Sequence, residues 1–381
     1  MPLRGLTIFS LFGYDIKVDV SWFFIAALVV WSLAGGYFPS VVPDASTSQI
    51  VVLAVLAMLG LFASLILHEL SHSLVARRCG VTIKGITLFI FGGVAELASE
   101  PPTAGTEFWI ALAGPAASLA LAFVFWIAAA VAQVAEMPAS ILALLSYMAL
   151  ANLILGIFNM LPAFPLDGGR VLRAVLWNRS GDQLRATEKA TAIGSVFAYL
   201  LIGLGSLDVV VSGQFGGLWI VIIGLFILAS GKNAYQNMRI HAALRDKTVS
   251  EIMTPRPLTI SPDETLQTLV DHYILSRRVG FVPVVEGTRV LGYIDVAVLS
   301  KIDREHWPRT AVGDVYVEAR ANNMVAPTDN AEAVLSRIAT GPQRKFLVVS
   351  DGQLRGVITL SDLIGYLSLL QTLQTAPSQV A

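Results

Sequence analysis

The stretch LFASLILHELSHSLVARR, residues 61–78, sets His68, Glu69 and His72 into an otherwise apolar run. The run lies in a block, residues 50–78, that is long enough as a helix to cross a bilayer, which takes about 20 residues. A charge at that depth costs on the order of 3 kcal/mol, so this cluster of ionisable groups calls for a function rather than a structural role. Residues four apart on a helix share one face, a turn apart, so both imidazoles can reach one ion. Glu69 stands offset around the same turn, where it can take a proton from a water without binding the ion itself. His-Glu-x-x-His on a helix is the pattern of a zinc metalloprotease with glutamate as general base. In a soluble helix two surface histidines and a glutamate would explain such a short pattern as well; the apolar setting decides against that here.

The same character extends in both directions. Of 381 residues 55% are hydrophobic and only 14% charged, where a soluble globular domain carries about 25% charged residues. Blocks near 19–38, 50–78, 106–133, 139–161, 190–210 and 216–232 are each expected to span the membrane. The loops at 39–49, 134–138 and 211–215 hold no Lys or Arg, whereas Arg77, Arg78, Lys84, Arg170, Arg173, Arg179 and Lys232 fall on the other side. That asymmetry predicts a multi-pass protein of the cell membrane with both termini in the cytoplasm. No removable signal peptide is expected at the N-terminus. Residues 8–20 and 81–97 are too short or too mixed to span; their β-branched and aromatic content predicts strands or hairpins at the membrane edge. Cys79, the single cysteine, excludes an intrachain disulfide. The net charge of -1, with no basic patch, gives no reason to expect a nucleic-acid partner.

Charges return at ordinary density beyond residue 232. The reading divides the chain into a membrane-embedded domain (1–232), a linker (233–246), two copies of a small α/β unit (247–306 and 307–370) and a disordered tail (371–381). The copies are legible as repeats. Val249-Ser-Glu-Ile is echoed by Val312-Gly-Asp-Val, and Phe281-Val-Pro-Val-Val by Phe346-Leu-Val-Val, at an offset of about 64 residues.

A catalytic zinc takes three protein ligands and keeps one open position. The remaining histidines, His241, His272 and His306, lie beyond the membrane blocks, so the third ligand should be a carboxylate or Cys79. Cys79 is too far along the helix axis from His72. For Asp15, Asp19, Glu96, Glu100, Glu107, Asp182 and Glu188, at span ends or in loops, a solvated charge is the simpler expectation. Asp167 stands apart. It lies in NMLPAFPLDGGR, residues 159–170, where two prolines and two glycines break the helix and let the backbone turn inward on the side where block two ends.

Together the His68–His72 helix, the downstream Asn159-x-x-Pro-x-x-Pro-Leu-Asp167-Gly segment and the six-span pattern resemble the site-2 protease family of intramembrane metalloproteases, over about residues 1–230. The resemblance implies that His68, His72 and Asp167 bind one Zn2+ and that Glu69 is the catalytic base and proton shuttle. It also implies that Asn159 steadies the substrate backbone or the developing oxyanion. Gly92, Gly93 and Val94 resemble the family's membrane-edge hairpin, which would hold substrate as an added strand; an ordinary hairpin turn accounts for the glycines equally. Strand addition suits the chemistry, because a helical substrate hides its peptide bonds. For Gly114-Pro115 the expected role is helix packing.

The repeat resembles a tandem pair of cystathionine-β-synthase-type (CBS) domains, carried by Ile252-Met-Thr, Val282-Pro-Val-Val and Gly356-Val-Ile-Thr359-Leu-Ser-Asp362. Such pairs bind adenine nucleotides through a Thr or Ser with an Asp three residues on. The second copy keeps Thr359 and Asp362; the first has Asp295 and Val298 and reads as degenerate. A strand end with a helix cap explains Thr359 and Asp362 as well, and a dimerising or partner-docking role for the pair stays open beside nucleotide binding. The fold class expected is thus a multi-pass α-helical membrane protein of about six transmembrane helices with short membrane-edge β-hairpins, followed by a soluble α/β tandem CBS module. The expected activity is zinc-dependent endoproteolysis of a transmembrane segment of a membrane-anchored protein in the lipid bilayer, modulated through a CBS pair that could also form a homodimer. Two competing classes are a transporter and an inactive relative. The spans lack the charge ladder and inverted repeat of the first, and Glu69 argues against the second.

Overall fold

The computed structural model describes residues 6–89, 92–97, 101–213, 216–341 and 343–375, and the chain divides into two compact units at Gln236 and Asn237. In the first unit, six helices among the described residues are long and apolar enough to cross a bilayer. They are α1 (Val20–Val41), α2 (Thr47–Arg78), α3 (Ala104–Val134), α4 (Ala139–Asn159), α6 (Gln183–Ser212) and α7 (Gly216–Leu244), with a shorter α5 (Asp167–Ser180) between α4 and α6. Their starts follow the local chemistry. Ser46 and Gln49 form a capping box on α2, Thr103 accepts from Thr106 N–H at the head of α3, and Asp182 accepts from Arg185 N–H at the head of α6. Pro162 and Pro165 cannot continue α4, so the chain breaks after Asn159 and restarts at Asp167, with the Phe164–Pro165 bond cis.

Close helix approach uses small residues. A Cβ on Gly156 of α4 would meet Leu119 Cγ of α3 at 2.9 Å, so glycine lets the two helices pack tightly. α3 also packs on α2 and α5, which sets it as the wall between them.

The edge segments expected as separate hairpins are joined. β1 (Leu6–Leu11), β2 (Tyr14–Val18), β3 (Ile83–Phe89) and β4 (Gly92–Leu97) form one four-stranded sheet in that order. β1–β2 and β3–β4 are antiparallel, and a parallel β2–β3 pairing (Ile16 opposite Ile86, Val18 opposite Leu88) unites them. The inward side chains Ile16, Val18, Ile86 and Leu88 pack on Phe62, Leu65 and Ile66 of α2, the turn that precedes His68. β4 is left at an edge of the sheet.

Residues 233–246, expected as a linker, are mostly helix. α7 runs on to Leu244, which is fully buried in an apolar cluster of the second unit with Val249 and Ile252. That second unit holds two sheets. One is β5 (Thr254–Pro255), β11 (Gln353–Thr359), β10 (Lys345–Ser350) and β9 (Met324–Val325); the other is β6 (Phe281–Glu286), β7 (Arg289–Asp295) and β8 (Val317–Glu318). Both sheets draw strands from the two copies. β5, from the first copy, pairs with β11, while β8, from the second, pairs with β7. Each leading segment thus completes its sibling's sheet and core, because Val249 and Ile252 find their apolar partners there and Val312 likewise. The tail expected at 371–381 is helical to Thr375, the end of α9 (Leu360–Thr375), which follows α8 (Ala331–Thr340); residues 376–381 lie outside the described residues.

Candidate metal centre

His68 and His72 project from one face of α2 and meet Asp167 at the head of α5. His68 Nε2 is 3.1 Å from Asp167 Oδ2, His72 Nε2 is 3.2 Å from it, and the two Nε2 atoms are 3.2 Å apart. All three residues are buried, and among the described residues this is the one such group of His, Cys, Asp or Glu that could hold a metal ion. Ligands about 2.0–2.1 Å from a tetrahedral zinc stand roughly 3.3 Å apart, close to what these atoms show.

The surroundings fit an ion as well. His72 Nδ1 lies 2.6 Å from the Ile110 carbonyl, which can only accept, so the ring carries its proton there and turns the Nε2 lone pair to the centre. His68 Nδ1 has Ser118 Oγ at 2.9 Å for the same purpose. Gly114 leaves the room: a Cβ there would stand 2.2 Å from His72 Nε2 and 2.6 Å from His68 Nε2. Gly114 was expected to serve helix packing; its contact is with the imidazoles, while Pro115 packs near Gly156.

Asp167 reaches the centre because Gly168 and Gly169 let the loop fold on the head of α5. A Cβ at Gly168 would meet the Met160 carbonyl oxygen at 2.2 Å, and one at Gly169 the Ala163 carbonyl carbon at 2.6 Å.

Glu69 is buried beside the trio and borders the same cavity of about 240 Å³, with Gly93, Asn159, Pro165 and Arg170. The β4 edge lies against it: a Cβ on Gly93 would come within 2.6 Å of Glu69 Cγ. Gly92 and Val94 flank Gly93 in the same strand, opposite Phe89 and Thr87 of β3. Asn159 Nδ2 donates to the Leu155 carbonyl at 3.0 Å.

Glu107 corrects an expectation. It sits near a span end, yet it is fully buried; Arg173 Nε donates to its Oε1 at 2.7 Å and Arg173 Nη2 to the same oxygen. The pair ties α3 to α5, the two elements that hold His72 through Ile110 and carry Asp167. Sequence reasoning also missed Ser118, the Ile110 carbonyl and the presence of Arg170 in the cavity. A sequence signal existed only for Arg170, one turn after Asp167.

In the second unit Thr359 Oγ1 and N–H both donate to Asp362 Oδ2, at 2.7 and 2.8 Å, and Thr254 Oγ1 donates to Oδ1 at 2.7 Å. At the corresponding place of the first copy, Asp295 accepts from Lys345 Nζ at 2.8 Å and from Val298 N–H at 3.1 Å.

Two imidazoles and a carboxylate converge on one point beside a buried glutamate, a group that could hold a metal ion, in a unit whose helices are long and apolar enough to cross a membrane. The model of peptidase family M50 matches residues 56–138 and 129–203, and the CBS-domain model matches 249–301 and 312–369. Rip3 of Mycobacterium tuberculosis is 34% identical over 375 residues, 96% of this chain and 93% of that one. A zinc metalloprotease of Methanocaldococcus jannaschii is 30% identical over 369 residues, 96% of this chain and 97% of that one. The solved site-2 protease from the same archaeon has 28% identity and a TM-score of 0.44, covering 60% of this chain and 94% of that one. The chain belongs to peptidase family M50: it is a multi-pass membrane zinc metalloprotease of the site-2 protease type with a tandem CBS module.

Proposed function

We propose that the protein cleaves a transmembrane segment of a membrane-anchored protein substrate within the bilayer, a step of regulated intramembrane proteolysis. The observation that carries this reading is the convergence of His68, His72 and Asp167 beside Glu69 in one buried cavity bordered by β4. His68, His72 and Asp167 hold one zinc, which when bound supplies a Lewis acid for the scissile carbonyl. Glu69 takes a proton from the attacking water and delivers it to the leaving amine. Gly92, Gly93 and Val94 receive the unwound substrate as a further strand on the β4 edge, because a peptide paired there lies against Glu69. Asn159 lines the cavity with one amide N–H still to offer a substrate carbonyl.

The Lys and Arg asymmetry supports an orientation with both termini in the cytoplasm, so the cavity opens towards that side. In the CBS module Thr359 and Asp362 take the ribose and phosphates of an adenine nucleotide, which tunes the protease; the Lys345–Asp295 pair fills the corresponding position of the first copy. Pairing of two chains through these modules is part of the same reading.

The test is cleavage of a single-span substrate by purified wild type and Glu69→Gln in proteoliposomes. Removing a general base costs roughly 10²–10⁴-fold, so the variant should fall by at least about 100-fold with the wild-type cut lying inside the span. A cut outside the span, or equal rates, would refute the proposal.

A further inference from the structure

The cavity holds one permanent cation among its described lining residues, Arg170, and the account so far gives it no task. Asp167 and Arg170 are three apart on α5, hence neighbours on one helix face. The Arg170 side chain is 20% exposed, and among the described residues no hydrogen bond fixes its guanidinium; its carboxylate neighbour is Glu107 Oε1, 4.0 Å from Nε. That same oxygen already accepts hydrogen bonds from Nε and Nη2 of Arg173. A guanidinium offers five donors, and none of them makes a hydrogen bond among the described residues, in a cavity that Glu69 also lines. The alternative donor, Asn159, has one N–H committed to Leu155.

On the reading of this cavity as a peptidase site, we propose that Arg170 is a catalytic residue that donates to the oxygen of the scissile peptide group as charge builds there. In the step, the water oxygen adds to the carbonyl carbon, its proton goes to Glu69, and the carbonyl π pair moves onto the oxygen. Negative charge passes from Glu69 to that oxygen, and Arg170 is the side chain placed to follow it. When the C–N bond breaks, Glu69 returns the proton to nitrogen and the oxygen gives its charge back. A planar, always-charged fork in a cavity lined by buried side chains suits such a role, because a fixed donor there needs little reorganisation.

The experiment compares wild type, Arg170→Ala and Arg170→Lys in proteoliposomes, reading zinc content, kcat and KM, with and without about 10 mM guanidinium. Loss of one such donor costs about 10²–10³-fold in kcat. Arg170→Ala should therefore lose that factor with KM and zinc content held, and guanidinium should restore at least about tenfold while methylammonium does not. Arg170→Lys, which keeps a cation on a similar stem, should retain zinc and lie between the two, and it reports even if the alanine variant fails to accumulate. Wild-type kcat in Arg170→Ala, or a loss that tracks zinc and answers to neither lysine nor guanidinium, would overturn the proposal. A wild type that binds zinc but cleaves nothing overturns the peptidase reading and this inference together, a result separable from the first two.

Discussion

At Gly114 a Cβ would meet both imidazoles, and at Gly93 it would meet Glu69 Cγ at 2.6 Å. The two glycines therefore predict different failures. Gly114→Ala pushes His68 and His72 off their convergence, so zinc content and cleavage should fall together. Gly93→Ala displaces the β4 edge or the Glu69 side chain, so zinc should stay at wild-type content while kcat drops by about tenfold or more. Zinc analysis beside kinetics separates them, and a Gly93→Ala enzyme that loses its metal would contradict the division of labour. Of the cavity residues, His68, Glu69 and His72 were legible because ionisable groups are anomalous within a membrane-spanning block, and Asp167 because prolines and glycines break the helix around it. Glu107 was not. A carboxylate near a span end looks the same in sequence whether solvated or paired, and its partner Arg173 is 66 residues away.

Among elements, the joint between α3 and α5 sets how Asp167 faces the histidines. Breaking a buried ion pair by removing one partner typically costs about 3–5 kcal/mol, whereas replacing both by apolar residues is often neutral. Glu107→Leu should therefore destabilise the protein by that order, and Glu107→Leu with Arg173→Met should recover most of it in thermal unfolding in detergent. A double variant no better than the single would show that the pair does more than neutralise itself. The spans were legible to within a few residues at most ends, since length and apolarity define them. The union of two hairpins into one sheet was not, because the β2–β3 pairing joins segments with no shared local pattern. The exchange of β5 and β8 escaped for a related reason. Repeats reveal that two units are alike, not which of two similar sheets a leading segment joins.

At the scale of the whole molecule, a membrane unit carrying the chemistry is followed by a CBS module whose core begins within α7, at Leu244. Cys79 caps the C-terminal end of α2, is exposed and is the only cysteine, so it reports topology without mutagenesis. In oriented membrane vesicles an impermeant maleimide should label it from the cytoplasmic face alone; labelling from the opposite face would reverse the orientation. The central claim is that two distant motifs build one metal centre, with the base separate from the ligands. Zinc measured by mass spectrometry on purified wild type, Glu69→Gln and Asp167→Ala tests it most directly. The account predicts about one zinc per chain in the first two and a large loss in the third. Full zinc in Asp167→Ala, or its loss in Glu69→Gln, would contradict it.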